Sequence, residues 1–271
     1  MKLQRLLAAG ALALAASLFA APAAMADDNA TVSVLHAVPG AVVDVYANGG
    51  ELLKDFKPGT LTDPQMLPAG KYDLKVVAAG AGKDGDAVVE AKGVTVPAGA
   101  NITVVAHLTA DGKPALTPFV NDTSASKEGG RITVRHVAAA PAVDVRAGGT
   151  AVIKALENPK EAMMNIAAGT LNVDVVAAGT DTVVLGPADV KVDAGKNVIV
   201  YAWGSLTDEN LALAVQSVDL MKGSTPTKPG MPSTGAEGPS SSAPIAAAFL
   251  GALAIAGTAV IATRRRVATK A

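Results

Sequence analysis

The sequence predicts an all-β protein with two tandem β-sandwich domains, placed between a signal peptide and a C-terminal transmembrane helix. Three observations lead to this prediction. Short runs rich in Val, Ile and Thr alternate with turn signals about every ten residues. A segment that starts near residue 31 returns near residue 131. Both ends of the chain are apolar stretches with basic residues beside them.

The first 26 residues predict a signal peptide. Lys2 and Arg5 supply a basic start, residues 6–21 are apolar, and Ala24-Met25-Ala26 has the small-x-small pattern of a cleavage site. The exported chain is therefore expected to begin at Asp27, and residues 1–26 are left out of the fold prediction.

Composition limits what the exported part can be. The chain has no cysteine, so disulfides cannot stabilise its domains. Its formal net charge is −1, which gives no basic surface for nucleic acid. Aromatic residues make up 3% of the chain, too few for a platform that stacks bases or sugars. We therefore expect no nucleic-acid partner. Because the glycines are scattered at turns and no phosphate-binding loop opens a helix, we also expect no cofactor.

An internal repeat defines the domains. We predict a first domain at 30–122 and a second at 130–220, joined by the polar segment 121–130. Because that segment can bury little apolar surface, we expect two separate folding units. The aligned pairs of segments are 31–45 with 131–145, 69–80 with 168–179, and 94–107 with 190–203.

Each repeat is predicted to be a β-sandwich. Turn signals such as Pro39-Gly40, Asn48-Gly49-Gly50, Pro58-Gly59 and Pro97-Ala98-Gly99 separate short β-branched runs. No segment before the C-terminal tail has the period of an amphipathic helix. About 90 residues with this spacing indicate an immunoglobulin-like β-sandwich, without the cysteine pair and buried tryptophan of a true immunoglobulin domain.

The repeats also resemble a known family. Residues 34–37, 43–46 and 67–72 are similar to the repeats of the domain-of-unknown-function family numbered 4397, which is found on bacterial surface proteins. The second repeat differs from that pattern, because Arg146 stands where the first has Tyr46. The resemblance implies a sandwich-like fold and an extracellular location, and it implies no particular activity.

Two polar pairs recur at equivalent positions and are the candidate chemical sites. His36 with Asp44, and His136 with Asp144, are each eight residues apart across a turn, which is compatible with a metal pair or part of a catalytic triad. Strand alternation argues against this, because it places His36 and His136 toward the core while both aspartates face solvent. The same alternation predicts an exposed contact between Asp144 and Arg135.

Other candidate sites are weaker. Asp84-Gly85-Asp86 with Glu90 is acidic enough for calcium but lacks the ligand spacing of a twelve-residue loop, so an ordinary hairpin turn is favoured. Ser124 and Ser126 have no nucleophile-elbow sequence around them.

The C-terminal region predicts a membrane anchor. Residues 221–243 form a polar stalk, and residues 244–263 are apolar and uncharged over a length that spans a bilayer. The basic tail 264–271 carries Arg264, Arg265 and Arg266, which favour a cytoplasmic C-terminus.

The stalk contains the segment Met231, Pro232, Ser233, Thr234, Gly235. With the span and basic tail that follow, it resembles a cell-wall sorting signal of Gram-positive bacteria, of the Leu-Pro-x-Thr-Gly type with Met231 at the leucine position. The resemblance implies a sortase that cuts between Thr234 and Gly235 and joins Thr234 to peptidoglycan. The alternative is a plain single-pass membrane anchor.

Together these features predict a non-catalytic cell-surface protein, anchored to wall or membrane, that serves adhesion, binding or envelope structure through an unknown extracellular ligand. The alternative is an extracellular enzyme or a metal-dependent ligand binder that uses the regions of His36 and His136.

Overall fold

The computed structural model describes residues 29–221, which form sixteen β-strands in four four-stranded sheets. Strands β1 to β8 belong to the first repeat and β9 to β16 to the second. The first eight are β1 Asn29–Ala37, β2 Val43–Ala47, β3 Gly50–Phe56, β4 Gln65–Pro68, β5 Gly70–Ala78, β6 Ala87–Val96, β7 Asn101–Leu108 and β8 Pro114–Val120. The second eight are β9 Gly130–Ala139, β10 Val143–Ala147, β11 Thr150–Leu156, β12 Glu161–Ile166, β13 Gly169–Ala177, β14 Val183–Val192, β15 Lys196–Ser205 and β16 Ala212–Asp219.

The two repeats have the same strand order. Each has one sheet around its first strand, β4-β1-β7-β8 or β12-β9-β15-β16, which we call the inner sheets. Each also has an outer sheet, β3-β2-β5-β6 or β11-β10-β13-β14. The central pairs β1/β7 and β9/β15 are parallel, and every other pairing of these strands is antiparallel. The prediction of an all-β fold with sandwich-like pairs of sheets is confirmed.

Alternation along the strands fills the space between the two sheets of each repeat. In the first repeat Val32 and Val104 of the inner sheet pack with Leu74 of the outer sheet. The second repeat has one larger cluster that joins Val134 and Val200 to the outer strands. In that cluster Ile132 and Val134 of β9, like Val198 and Val200 of β15, are two positions apart and therefore face the same side of the sheet.

A tight hairpin turn joins β2 to β3. Asn48 and Gly49 have φ values of 50° and 78°, the positive pair that a type I′ turn requires. Gly148 and Gly149 form the same turn in the second repeat, with φ values of 55° and 81°. The Asn-Gly turn signal in the sequence therefore marks a real turn.

The two inner sheets also pack against each other, face to face. Side chains that point away from each repeat's own core meet in a shared apolar cluster, so strand β9 is buried along its whole length. This shared burial argues against the two separate folding units expected from the polar linker, because an inner sheet covered on both sides loses far more apolar surface than the linker itself could bury. The shared cluster consists of Leu35, Ala37, Val105, Phe119, Val137, Ile199, Tyr201 and Val218.

The linker between the repeats is held in place. Arg131, 3% exposed, forms an ion pair with Asp122 at 3.0 Å and donates to the Ser124 carbonyl at 3.2 Å. Met221 N–H donates to the Thr123 carbonyl at 2.7 Å. The linker and the end of the described chain therefore lie together at one end of the double sandwich.

The predicted signal peptide, stalk, transmembrane helix and basic tail lie outside the described residues. Within residues 29–221, no helix is long and apolar enough to cross a membrane.

Candidate functional site

His36 lies at the end of strand β1 and closes the turn that follows it. Its Nε2 lies 2.8 Å from the Ala41 carbonyl oxygen, and its Nδ1 lies 3.4 Å from the Val38 N–H. Because a carbonyl only accepts, Nε2 carries the proton and Nδ1 is the acceptor. The ring is 1% exposed, and burial lowers the pKa of His36.

His136 makes the same bonds in the second repeat. Its Nε2 donates to the Pro141 carbonyl at 2.9 Å, and its Nδ1 lies 3.4 Å from the Ala138 N–H. Burial likewise lowers the pKa of His136. Both histidines are buried and bond backbone groups of the turns that follow their strands. This geometry agrees with the prediction that each bonds a backbone group at the edge of the core.

Asp44 was expected to face solvent, and that prediction is wrong. The carboxylate lies on the outer face of the outer sheet as alternation requires, but it is only 2% exposed. Its two oxygens accept from the N–H groups of Asp55 and Gly80, both at 2.9 Å. These two bonds, from Asp55 first and then Gly80, lower the pKa of Asp44.

The donors explain why a carboxylate is needed there. Asp55 has a φ of 50° at a bulge between β2 and β3, which turns its N–H out of the ladder. Gly80 follows β5 in the next loop. One aspartate therefore ties a β-bulge to a neighbouring turn by accepting two backbone N–H groups that the sheet leaves free.

Asp144 repeats this arrangement, and its predicted contact with Arg135 is also wrong. Its oxygens accept from Ala155 N–H at 2.7 Å and Gly179 N–H at 3.0 Å, and the bonds from Gly179 and Ala155 lower its pKa. Arg135 is in the inner sheet on the other side of the second core. Asp144 and Arg135 each face away from the core of the second repeat, as alternation predicts, but they belong to different sheets and cannot meet.

The histidines and aspartates are therefore not brought together. Each histidine points into the core from an inner sheet, and each aspartate lies on the far face of an outer sheet. Within residues 29–221, no group of three or more His, Cys, Asp or Glu side chains is arranged to hold a metal ion.

A buried polar network, which was not expected from the sequence, lies between the two repeats. Arg135, 1% exposed, donates from Nε to Glu161 Oε2 at 2.7 Å and from Nη1 to the Tyr201 hydroxyl at 2.8 Å. The Tyr201 hydroxyl donates to Gln216 Oε1 at 2.6 Å, and Thr103 of the first repeat donates to the same oxygen at 2.9 Å. Burial raises the pKa of Tyr201. The network thus crosses the shared cluster and links both inner sheets.

Arg135 also stacks across the interface. Its guanidinium carbon lies 4.4 Å from the centre of the Phe119 ring, which belongs to the first repeat, and 5.3 Å from the Tyr201 ring. A desolvated guanidinium over an aromatic face gains cation–π energy in addition to its ion pair. This accounts for a buried arginine in an otherwise apolar contact.

A third buried histidine, His107, lies at the end of β7, where the first repeat contacts Asn158 of the second. His107 Nδ1 donates to the Leu108 carbonyl, and its Nε2 accepts from the Thr117 hydroxyl, both at 2.8 Å. Burial lowers the pKa of His107, and the nearby His136 lowers it further. Asn158 of the second repeat donates to the same Leu108 carbonyl at 2.8 Å. The three histidines are therefore neutral groups that fasten strand ends.

The acidic hairpin and the apolar cavity of the first repeat have simple structural descriptions. Asp84 pairs with the adjacent Lys83 at 2.9 Å, and both side chains are mostly exposed. A cavity of about 30 Å³ lies between the sheets of the first repeat and is lined by apolar side chains and His36. That volume suits a water-sized group, whereas ligand pockets in proteins are roughly ten times larger.

The sorting-like segment from Met231 to Gly235 lies outside the described residues.

The sheet order and the buried polar groups of residues 29–221 define a double β-sandwich protein. Residues 30–146 match the model of the family described as domain of unknown function (DUF4397). The match covers the first repeat and continues into β9 and β10, which supports the family resemblance seen in the sequence. A search of curated proteins finds no match.

Proposed function

We propose that this chain is a non-catalytic cell-surface protein that displays two joined β-sandwich repeats, both of the family that matches residues 30–146. The repeats are exported by the signal peptide and held at the surface through the C-terminal anchor. Their role is adhesion, binding or envelope structure, with an extracellular partner and no nucleic acid.

One observation carries the non-catalytic part of the proposal. The histidine and the aspartate that recur in each repeat make their hydrogen bonds to the backbone. Each histidine bonds the turn that follows its strand, and each aspartate accepts two backbone N–H groups. A catalytic base or nucleophile needs a side-chain atom that is free of other bonds and within hydrogen-bond reach of a substrate. The same strand order in both repeats supports their common family.

Anchoring is tested by cell fractionation. If a sortase reads the segment from Met231 to Gly235, Thr234→Ala moves the protein from the wall fraction to the membrane fraction. Ser233→Ala is the matched control, because it changes the variable position of the motif and is expected to leave the distribution unchanged. Equal distributions for Thr234→Ala and the unmodified protein would leave plain membrane anchoring.

A separate measurement tests the absence of metal chemistry. Zinc titration of the intact chain is expected to give no binding that depends on His36. Zinc binding that is lost in His36→Gln but kept in His107→Gln would contradict the proposal and favour a metal-dependent binder.

A further inference from the structure

The edge strands of this protein differ in how well they resist pairing with another strand. A sheet edge presents unpaired backbone N–H and C=O groups, and proteins protect it with prolines, bulges or short strands. Among the described strands, β8 has Pro114 and Pro118, β14 has Pro187, and β4 has only four residues. The register shifts along β3, β6 and β11, and β12 has six residues with a charge at its start.

Strand β16 lacks the proline, the bulge or the short length that protects the other edges. It runs for eight residues, Ala212–Asp219, without proline, glycine or a register shift against β15. Its only charge is Asp219, at its last position. Val215, at the middle of the strand, is 55% exposed. β16 is therefore the longest regular edge in the described part of the chain.

The direction of its free backbone groups follows from two hydrogen bonds. Leu220 N–H donates to the Gly195 carbonyl on the β15 side, while Met221 N–H donates to the Thr123 carbonyl on the other side. Backbone groups alternate along a strand. The N–H and C=O groups of Leu213, Val215 and Ser217 therefore point away from β15, toward the open edge.

We propose that β16 is a self-association site, at which it pairs antiparallel with β16 of a second copy of this chain. A two-fold axis through Val215 places that residue opposite its mate and Leu213 opposite Ser217 of the other copy. Each of these positions has both backbone groups pointing outward, so the two edges satisfy each other. The most exposed apolar side chain of the strand becomes covered.

Two further features favour a second copy as the occupant. In this register Asp219 lies opposite Leu211, so no like charges face each other across the contact. The pairing also continues the inner sheet across the axis and gives it eight strands.

The first repeat shows how the same edge is blocked. In the first repeat Pro118 of β8 lies opposite Val104 of β7, which pairs with Val34 of β1. In the second repeat Val215 of β16 lies opposite Val200 of β15, which pairs with Val134 of β9. Pro118 and Val215 are thus equivalent positions. Proline there removes an outward N–H without breaking the pairing to the neighbouring strand. Val215→Pro is consequently compatible with the fold.

The test uses the full chain in detergent micelles, followed by sedimentation and thermal unfolding. The unmodified chain is expected to form dimers, and Val215→Pro to weaken dimerisation more than about tenfold while still unfolding cooperatively. Val215→Lys, which leaves the backbone unchanged, is expected to weaken it as well through charge repulsion at the axis. Pro118→Val is the reverse change and is expected to add a second associating edge. A chain that stays monomeric, or dimerises equally well with Val215→Lys, would overturn the proposal.

Cysteine cross-linking tests the register, because the natural chain has no cysteine. Opposite Cα atoms of a hydrogen-bonded antiparallel pair lie about 5.5 Å apart, within reach of a disulfide. Val215→Cys is expected to give disulfide-linked dimers, whereas Val120→Cys, on the proline-protected edge and 59% exposed, is not. A mixture of Leu213→Cys and Ser217→Cys chains is expected to cross-link as mixed pairs. Equal cross-linking at Val120, or self-pairs only in the mixture, would contradict antiparallel pairing through β16.

Discussion

Single residues in this protein hold the backbone at places where the sheets are irregular. Asp44 and Asp144 each accept an N–H from a bulge residue with positive φ and a second N–H from a loop. Strand alternation predicts which face such a residue occupies. It does not predict that neighbouring backbone will cover that face, because the cover comes from a bulge and a loop that carry no periodic signal.

Replacing Asp44 tests this role. Asp44→Ala leaves the N–H groups of Asp55 and Gly80 without their acceptor, so we expect the free energy of unfolding to fall by about 1–3 kcal/mol in urea titrations at neutral pH. The control Asp63→Ala removes an exposed carboxylate and is expected to change stability by less than about 0.5 kcal/mol. Equal effects would show that the bonds to Asp44 contribute nothing.

The buried histidines predict a pH dependence of stability. Burial lowers the pKa of His36, His107 and His136, so the folded protein keeps them neutral while the unfolded chain binds protons near pH 6.5. The stabilising effect is complete above about pH 6.5 and is lost as the pH falls toward the lower pKa values of the folded state.

We therefore expect lower unfolding free energy at pH 5.5 than at pH 7.5. The chain with all three histidines changed to Gln should be less stable at both pH values and nearly independent of pH between them. An unmodified chain with the same stability at both values would show that the three histidines do not titrate differently on unfolding.

At the scale of elements, the two inner sheets carry different residues at one pair of equivalent positions on the faces that meet. In the first repeat Leu35 lies opposite Leu61, and in the second Arg135 lies opposite Glu161 at the same place in the sheet. One inner sheet therefore offers an apolar surface, and the other offers an ion pair between the buried Arg135, which stacks on Phe119, and the partly exposed Glu161.

Copying the leucine pair into the second repeat separates the cost of the ion pair from its benefit. Glu161→Leu alone leaves the buried guanidinium without its carboxylate, and we expect a loss of about 3 kcal/mol. Arg135→Leu together with Glu161→Leu should recover most of that loss, because a paired apolar contact replaces a desolvated charge. A double-mutant cycle from chemical unfolding measures the coupling. Additive losses would mean that Arg135 and Glu161 act independently.

The strands themselves were largely predictable from the sequence, but the contact between inner sheets was not recognised. Period-two alternation and the turn signals located most strands, and the repeat gave the two sandwiches. A signal for the contact was present: residues 102–108 and 197–203 are mainly apolar at consecutive positions, as is typical of strands covered on both faces. The partner of Arg135 could not be inferred, because it depends on which sheets face each other.

At the scale of the whole molecule, the shared cluster makes the two repeats one body. Fragments 27–123 and 128–221 would each expose an inner face that is buried in the intact chain, including Ile199 and Tyr201 of the second repeat. We expect the second fragment alone to aggregate or to give poorly dispersed amide NMR signals, and an equimolar mixture to restore the dispersed β-type spectrum of the intact protein. Two well-dispersed fragments that do not associate would show that the repeats fold independently.

The parallel pairing of β1 with β7, and of β9 with β15, determines the order in which the chain completes its sheets. β1 is the first of the described strands, but five other strands separate it from its parallel neighbour β7, and five strands likewise separate β9 from β15. Such distant contacts carry a large loop-closure entropy, so folding times of milliseconds to seconds are typical. Until those contacts form, the apolar faces of β1 and β9 stay uncovered, and the chain is then at its most prone to aggregation.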